Sequence, residues 1–333
     1  MARVTLVQMV YNAKKYIPRS VSSMVNQTYK DIEVVCVING NEDGSKEYIA
    51  QHFPQVTIID PGENLKFVRG HNLVFEKFTD TEFFQLVNDD LWLEPNYVEE
   101  MLKVFEDPSV AAASGKIFNY NYTLDQKTNI LDTTGIEYSK SGGGRSRGQH
   151  QEDLGQFDNK LELVATDGSS SMYRRSALEE VKYQRPDGSY EYYDLDFYMY
   201  WEDVDLGLRL LNSGYKSRFV PTAIGHHGRT AAASPGGYKK VFAFIKHHRA
   251  IASWIREGNY KNHIFLFIKN SPKWYLQFFV REFFYQVFVL LLETSTLKIL
   301  PTFFKQLPLI CKKRKYIRKH RKISVEQFEK LLS

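Results

Sequence analysis

Phe83-Phe84-Gln85-Leu86-Val87-Asn88-Asp89-Asp90 is an apolar run that ends abruptly on an amide and two carboxylates. Its first five residues read as a buried strand. In open α/β sheets small molecules collect at the carboxyl edge of the strands, so acids at such an end are candidates to hold a divalent cation. Oxygen ligands of this kind suit magnesium or manganese bridged to the phosphates of a substrate. A solvated turn is the competing reading, because Asn and Asp hydrogen-bond readily to their own backbone. The surrounding sequence has to decide between them.

Upstream, Val4 to Val10 reads as a first strand, and Ile17, Val21, Met24 and Val25 come next at helical spacing. Asp31 to Ile38 reads as a second strand closed by the turn-rich Asn39-Gly40-Asn41-Glu42-Asp43-Gly44-Ser45, and Val56 to Asp60 as a third. Strands alternating with helices imply right-handed crossovers and a mainly parallel sheet, whose fourth strand delivers Asn88, Asp89 and Asp90. Downstream, Pro95 stands where a helix accepts proline, and Val98, Met101, Leu102 and Phe105 make one apolar face. The turn Val10 to Lys15 has no glycine, and Asn39 to Ser45 has only two, so the dinucleotide fingerprint of a nicotinamide enzyme is missing.

The chain of 333 residues is long enough for one large domain or a domain with an appendage. Cys36 and Cys311 are its only cysteines, which makes neither a disulfide framework nor a zinc site and fits a reducing compartment. Met1 to Val7 enters a strand without the apolar region of a signal peptide, so a cytosolic start is expected. Much of the net charge of +5 sits in the basic run from Lys312 to Lys322. Such a run meets an anionic membrane surface or stays a solvated tail, and no nucleic-acid recognition module accompanies it.

A second group of acids is Glu202 and Asp203, after Trp201. Val204, Leu208 and Leu211 form a helix face and Gly214 a stop, so both acids open a helix, where the dipole favours negative charge. Capping and chemistry both fit that position. Asp167-Gly168-Ser169-Ser170-Ser171 reads either as a tight turn into a strand or as the wall of a site, and Ser176 with Glu179 as a capping box. In the C-terminal third a helix is expected from Lys246-His247-His248-Arg249. Leu276 to Leu292 is strongly apolar and aromatic, but Arg281, Glu282 and Gln286 interrupt it before a spanning length is reached. It reads as interfacial, with packing on the catalytic domain or on a second copy as the rivals. Pro301 and Pro308 are expected to break the chain beyond it into short pieces.

Val4 to Asn12, Gln27 to Val34, Asn39 to Ser45, Glu63 to Phe67, Gly70-His71-Asn72 and Asn88-Asp89-Asp90 occur in this order. After them come Arg145 to Gly148, Gly155 to Asp158, Asp167 to Arg175 and Tyr200 to Leu206. The ordered set resembles the inverting family-2 glycosyltransferases of the GT-A fold, and within them the rhamnosyltransferase-like branch.

The resemblance implies an α/β domain over residues 1–240, a Rossmann-like, mostly parallel sheet flanked by helices. The apolar and basic stretches beyond it make 241–333 the expected helical, membrane-interfacial region. It implies a nucleotide-sugar donor, dTDP- or UDP-linked, contacted by Asn12, Asn39, Asp60, Asn72 and Asp89. A magnesium or manganese ion on its diphosphate would be held by Asp90 and Asn88 with His226 or His227. Asn88 stands where the family's Asp-x-Asp motif has its first acid, and Ile38 where many relatives place an Asp that reads uracil. Arg145 and Arg147 are implied phosphate ligands, and Gly168, Ser169 and Trp201 the acceptor wall. Asp203 is the expected general base, with Glu202 orienting the acceptor, though the two roles can be exchanged.

The implied activity is transfer of a sugar, rhamnose among the candidates, to a polysaccharide or polyprenyl-diphosphate-linked acceptor in cell-surface glycan synthesis. The implied location is the cytoplasmic face of the cell membrane, and a homodimer is compatible with it. A nucleotidyltransferase would need a Gly-rich basic loop after the first strand, which Tyr11-Asn12-Ala13 is not. A non-catalytic glycan-binding scaffold would be indifferent to loss of Asp203.

Overall fold

The computed structural model describes residues 3–228 and 252–333. The domain boundary expected at residue 240 and the helix expected from Lys246 lie outside the described residues. The first half runs β1 (Val4–Tyr11), α1 (Ile17–Val25), β2 (Ile32–Gly40), α2 (Ser45–His52), β3 (Thr57–Ile59), α3 (Lys66–Lys77) and β4 (Phe83–Leu86). Then come β5 (Leu91–Leu93), α4 (Tyr97–Lys103), β6 (Val110–Asn121), β7 (Gln126–Thr133), β8 (Ile136–Tyr138), β9 (Gly144–Ser146), β10 (Glu162–Leu163) and β11 (Ser171–Arg174). The chain continues through α5 (Arg175–Val181), the hairpin β12 (Tyr183–Gln184) and β13 (Tyr190–Glu191), α6 (Glu202–Asn212) and β14 (Lys216–His227). Among the described residues the C-terminal helices are α7 (Ser253–Asn270), α8 (Leu276–Leu292), α9 (Leu300–His320) and α10 (Val325–Glu329).

The central sheet has the order β10-β14-β6-β11-β4-β1-β2-β3. β1 to β4 pair in parallel, as their helical crossovers require. Beyond β4 the sheet is mixed: β11 runs antiparallel to β4 and β6, while β6 and β14 are parallel. Both faces are covered, which is why the strands read as nearly continuous apolar runs. Alternation along β1 sends Val4, Leu6 and Val10 into the cluster under α1 and α4, and Val7 into the cluster under α3, α5 and α6. The registers Val7 with Val35 and Val7 with Leu86 bring the ends of β1, β2 and β4 to one edge, so Tyr11, Asn39 and Asn88 share a rim.

The C-terminal helices are tied to this unit by buried charge. Lys269 on α7 pairs with Asp194 and, at 2.7 Å, with Asp205 of α6. Lys313 on α9 is 2% exposed and pairs with Glu191, Asp194 and, at 2.8 Å, with Asp196. Burial resists ionisation of the Asp194 carboxyl, but the two ammonium groups outweigh it and hold the group far below the usual carboxylate range.

Three local expectations are corrected. The basic run is no free tail: it ends α9 and enters the link beyond, with Lys313 and Ile317 turned inward and Arg314 bonded to the carbonyls of Ile268 and Ser271. Pro308 does not break the helix, since it faces solvent, where water satisfies the carbonyl it leaves unpaired, and Pro301 occupies the first turn, where no donor is needed. Ser176 and Glu179 form no capping box. The helix already starts at Arg175, and Glu179 binds Arg175, Lys182 and Tyr192 instead.

Candidate active site

β4 stops because the chain turns back at once: the Leu91 N–H donates to the Asn88 carbonyl at 3.1 Å. That turn is pinned from three sides. The Asn88 N–H donates to the Ser169 carbonyl at 3.0 Å, Gln8 Nε2 to the Asn88 carbonyl at 3.1 Å, and the Tyr11 N–H to the Asp89 carboxylate at 3.0 Å. Burial pushes the Asp89 carboxyl up; the Tyr11 N–H pulls it back only in part, Asp90 adds like charge, and the group ends at about 7.

Asp90 is buried and accepts from His227 Nε2 at 2.9 Å, while His227 Nδ1 donates to Asp132 at 2.8 Å. The imidazole therefore lies between two carboxylates. Burial lowers its affinity for protons, but hydrogen bonds and charge from Asp132 and Asp90 outweigh this and hold it at about 10. Strand alternation in β14 sends the preceding histidine to the opposite face. His226 stacks on Trp92 at 4.2 Å and bonds Glu94 at 3.0 Å, so the expectation that it joins the metal set is corrected.

Asp90, Asn88 and, once its Nε2 gives up the proton it shares with Asp90, His227 suit a cation by the chemistry of their donors. Carboxylate, imidazole and amide are groups that manganese accepts. His227 also carries a buried carboxylate on its second nitrogen, the arrangement that fixes metal-binding imidazoles in one tautomer. No group of three or more His, Cys, Asp or Glu side chains is placed to share an ion among the described residues. The residues would thus supply part of a shell, with substrate phosphates and water left to provide the rest.

The second group of acids opens α6. The loop before it holds three non-glycine residues in the left-handed region, Tyr198 (φ 64°), Tyr200 (φ 68°) and Trp201 (φ 73°). Such backbone costs of order 1–3 kcal/mol per residue and persists only where its surroundings hold it. Asn262 of α7 supplies the hold: its Nδ2 donates to the carbonyls of Phe197 (2.8 Å), Met199 (3.1 Å) and Tyr200 (3.0 Å). Asn259, one turn earlier, accepts from Trp201 Nε1 at 3.0 Å. Asn262→Ala is expected to lower kcat by about 10- to 100-fold through misplacement of the helix start, which steady-state kinetics beside a melting curve would measure.

Asp203 accepts from the N–H groups of Val204 (2.7 Å) and Gly168 (3.0 Å). A Cβ on Gly168 would stand 3.4 Å from Asp203 Oδ2 and 3.2 Å from the Phe67 ring, so the backbone approaches here as only glycine allows without adjustment. Burial first, then the negative charge of Asp167, raises the Asp203 carboxyl to about 6. Glu202 is buried, its Oε2 has no hydrogen-bond partner among the described residues, and burial together with Asp203 drives its carboxyl well above the usual range. Both carboxyls are thus raised, each by burial and by the other acids beside it.

Both centres open into one cavity of about 410 Å³, lined by Asn88 and His227 from the first, by Trp201, Glu202 and Asp203 from the second, and by Asp167, Gly168 and Ser169 between them. Arg145 reaches this cavity with an exposed side chain paired to Glu137 at 2.7 Å.

The other expected ligands lie elsewhere. Arg147 is not a phosphate ligand. Its guanidinium is buried over the Phe157 and Phe219 rings and spent on Thr134 and the Lys160 carbonyl. Asn72 is likewise consumed, both ends of its amide bonding the Tyr193 backbone at 2.8 Å. Asn39 is corrected too: it binds the Leu65 N–H (3.1 Å) and the Lys66 carbonyl (3.3 Å), fixing the entry to α3. Asn12 bonds Glu42, and Asp60 pairs with Lys46 at 2.7 Å on the sheet rim. Asp132, Asn259 and Asn262 escaped the sequence reading. Only Asp132 left a trace, a lone acid within the apolar run Ile130-Leu131-Asp132.

A sequence model of glycosyl transferase family 2 matches residues 5–182, more than half of the chain. An N-acetylglucosaminyl-diphospho-decaprenol L-rhamnosyltransferase of Mycobacterium tuberculosis is 24% identical over 306 residues, covering 80% of this chain and 93% of that one. An uncharacterized glycosyltransferase of Haemophilus influenzae is 29% identical over 115 residues, 34% of this chain, and the chain spans only 35% of that relative's length. Among solved structures, GalNAc-T7 with UDP, GalNAc and Mn2+ superposes with a TM-score of 0.61 at 12% identity, over 96% of this chain and 56% of that one. At that identity the likeness is one of fold, the GT-A arrangement.

Proposed function

The chain belongs to glycosyl transferase family 2, and from that premise we propose that it transfers a sugar with inversion from a dTDP- or UDP-linked donor to a lipid-linked or polysaccharide acceptor. The observation that carries the reading is the single cavity lined by both acidic centres. An inverting transfer needs a carboxylate that takes the proton of the acceptor hydroxyl while the leaving diphosphate is stabilised on the other side of the anomeric carbon. Asp203, whose carboxyl lies at about 6, is the base. Glu202, with its Oε2 lacking a hydrogen-bond partner among the described residues, orients the acceptor, with Gly168, Ser169 and Trp201 as the wall. The two N–H groups on Asp203 and the orphaned Oε2 of Glu202 support this division of roles.

On the donor side Asp90, Asn88 and His227 would hold a manganese or magnesium ion, which supplies positive charge against the leaving diphosphate. Arg145, on the lining of the same cavity, adds a guanidinium. Asn12, Asp60 and Asp89 remain the nucleotide-side contacts. The mycobacterial relative's name supports rhamnose as the sugar and a polyprenyl diphosphate as the acceptor's anchor. Cell-surface glycan synthesis on the cytoplasmic face of the membrane is the setting proposed for it.

The test is thermal unfolding with a panel of nucleoside diphosphates, with and without manganese. A ligand at 100 times its Kd stabilises by about 2.7 kcal/mol, which moves the melting temperature by several degrees. dTDP or UDP is expected to do so only with manganese, and Asp90→Ala to erase the metal-dependent part. A flat response across the panel would remove the donor site from this reading.

A further inference from the structure

The exposed apolar surface of α8 forms one stripe. Leu276, Phe279, Phe283, Phe284, Leu290 and Leu291 are each between 50% and 74% exposed, and their spacing puts them on one side of the helix. The other side is locked to the protein: Phe278 stacks on Phe267 of α7 at 3.5 Å, Glu282 accepts from His263 at 2.9 Å, and Val289 is buried. At 17 residues α8 is about 25 Å long. Among the described residues no single helix is long and apolar enough to cross a membrane; α8 and the segment after it pass only as a pair bent by 107°. A helix gripped along one side and bare along the other suits a surface.

Charge identifies the surface. From residue 271 to 322 the chain has twelve Lys and Arg against two acids, Glu282 and Glu293, and both acids are buried. The exposed charges of this stretch are therefore all cationic, although Lys273 is paired to Glu329 at 2.6 Å; Trp274 (54% exposed) stands before α8 and Phe304 (63% exposed) on α9. A second copy on this face would set two basic segments against each other, whereas anionic headgroups complement the basic segment as acyl chains complement the stripe.

We propose that α8 lies in the plane of an anionic lipid bilayer, stripe downward, and that this contact sets the mouth of the active-site cavity at the headgroup level. Arg281 Nη1 donates to the Ser141 carbonyl at 3.1 Å. Gly142 sits so close that a Cβ there would stand 2.7 Å from the Phe278 ring. The same loop runs on into Gly144 and Arg145, which line the cavity. One loop thus links the helix that meets the bilayer to the cavity of Glu202 and Asp203, which suits a lipid-linked acceptor. That last consequence rests on the transferase reading; the docking does not.

The experiment is co-sedimentation of the full chain with phosphatidylcholine vesicles, with and without phosphatidylglycerol. Binding is expected to the mixed vesicles and to fall with salt. Phe283→Asp with Phe284→Asp should lower the bound-to-free ratio by about tenfold or more, as should Lys315→Glu with Lys319→Glu on the anionic vesicles. All four side chains are exposed, so melting temperatures should match the wild type. Wild-type binding by the Phe pair, equal binding to both vesicle types, or a dimer that the Phe pair splits without any vesicle binding would each overturn the proposal. The manganese-dependent shift by nucleoside diphosphates, read on the same samples, shows whether the donor site survives independently.

Discussion

Asp203→Asn is expected to lower turnover by about 10²- to 10⁴-fold, the range over which a positioned general base contributes, while nucleoside diphosphate binding stays unchanged. The amide preserves the shape of the side chain, but the Gly168 and Val204 N–H groups donate to different carboxylate oxygens, so asparagine keeps only one of these bonds; a melting curve beside the binding assay separates that local cost from loss of the proton acceptor. The same assignment fixes a pH profile. A base works only when ionised, and the Asp203 carboxyl is raised to about 6 by burial and by Asp167. kcat/KM should therefore fall as pH drops below about 6 and level off above it. Asp167→Asn removes the neighbouring negative charge, so it should move that limb to lower pH, which a rate profile between about pH 5 and 8 would read.

Lys313→Met is expected to destabilise the protein by about 3–5 kcal/mol, the cost of leaving a buried ion network without one of its cations. Lys313 is 2% exposed and faces Glu191, Asp194 and Asp196, all of them buried. Methionine fills the volume but leaves three carboxyl groups to share the remaining Lys269 and Arg185. Lys312→Met, one residue away on the exposed side of α9, should stay within about 0.5 kcal/mol of wild type. Chemical denaturation of the two variants side by side measures the difference. Its consequence for function is that the C-terminal helices do more than decorate the sheet: the network they anchor underlies the loop from Asp194 to Trp201 that presents Glu202 and Asp203.

The sheet and its rim were legible because local chemistry repeats there. The apolar run from Phe83 to Val87 had to be a strand with both faces covered, and an amide and two acids after it had to sit at its exit. What escaped is contact between distant segments. Asp132 and His227 are 95 residues apart, and nothing local in either says that one holds the tautomer of the other. Asn262 looks like any helical amide until the strained backbone it binds is seen. Arg145 and Arg147 have the same type and near neighbours, yet one reaches the cavity and the other fills the space between two phenylalanine rings. Lys313 is the clearest case: composition makes it one charge among many in a basic run, and only helix phase against the acids of residues 191 to 196 turns it inward.

The central claim is that one cavity joins a metal-dependent nucleotide site to a separate base. Calorimetric titration of the best nucleoside diphosphate from the thermal panel, with manganese, into wild type, Asp90→Ala and Asp203→Asn tests it most directly. The account predicts that Asp90→Ala loses manganese-dependent binding and Asp203→Asn binds as the wild type does while failing to turn over. Full manganese-dependent binding by Asp90→Ala, or loss of binding in Asp203→Asn with its fold intact, would contradict it.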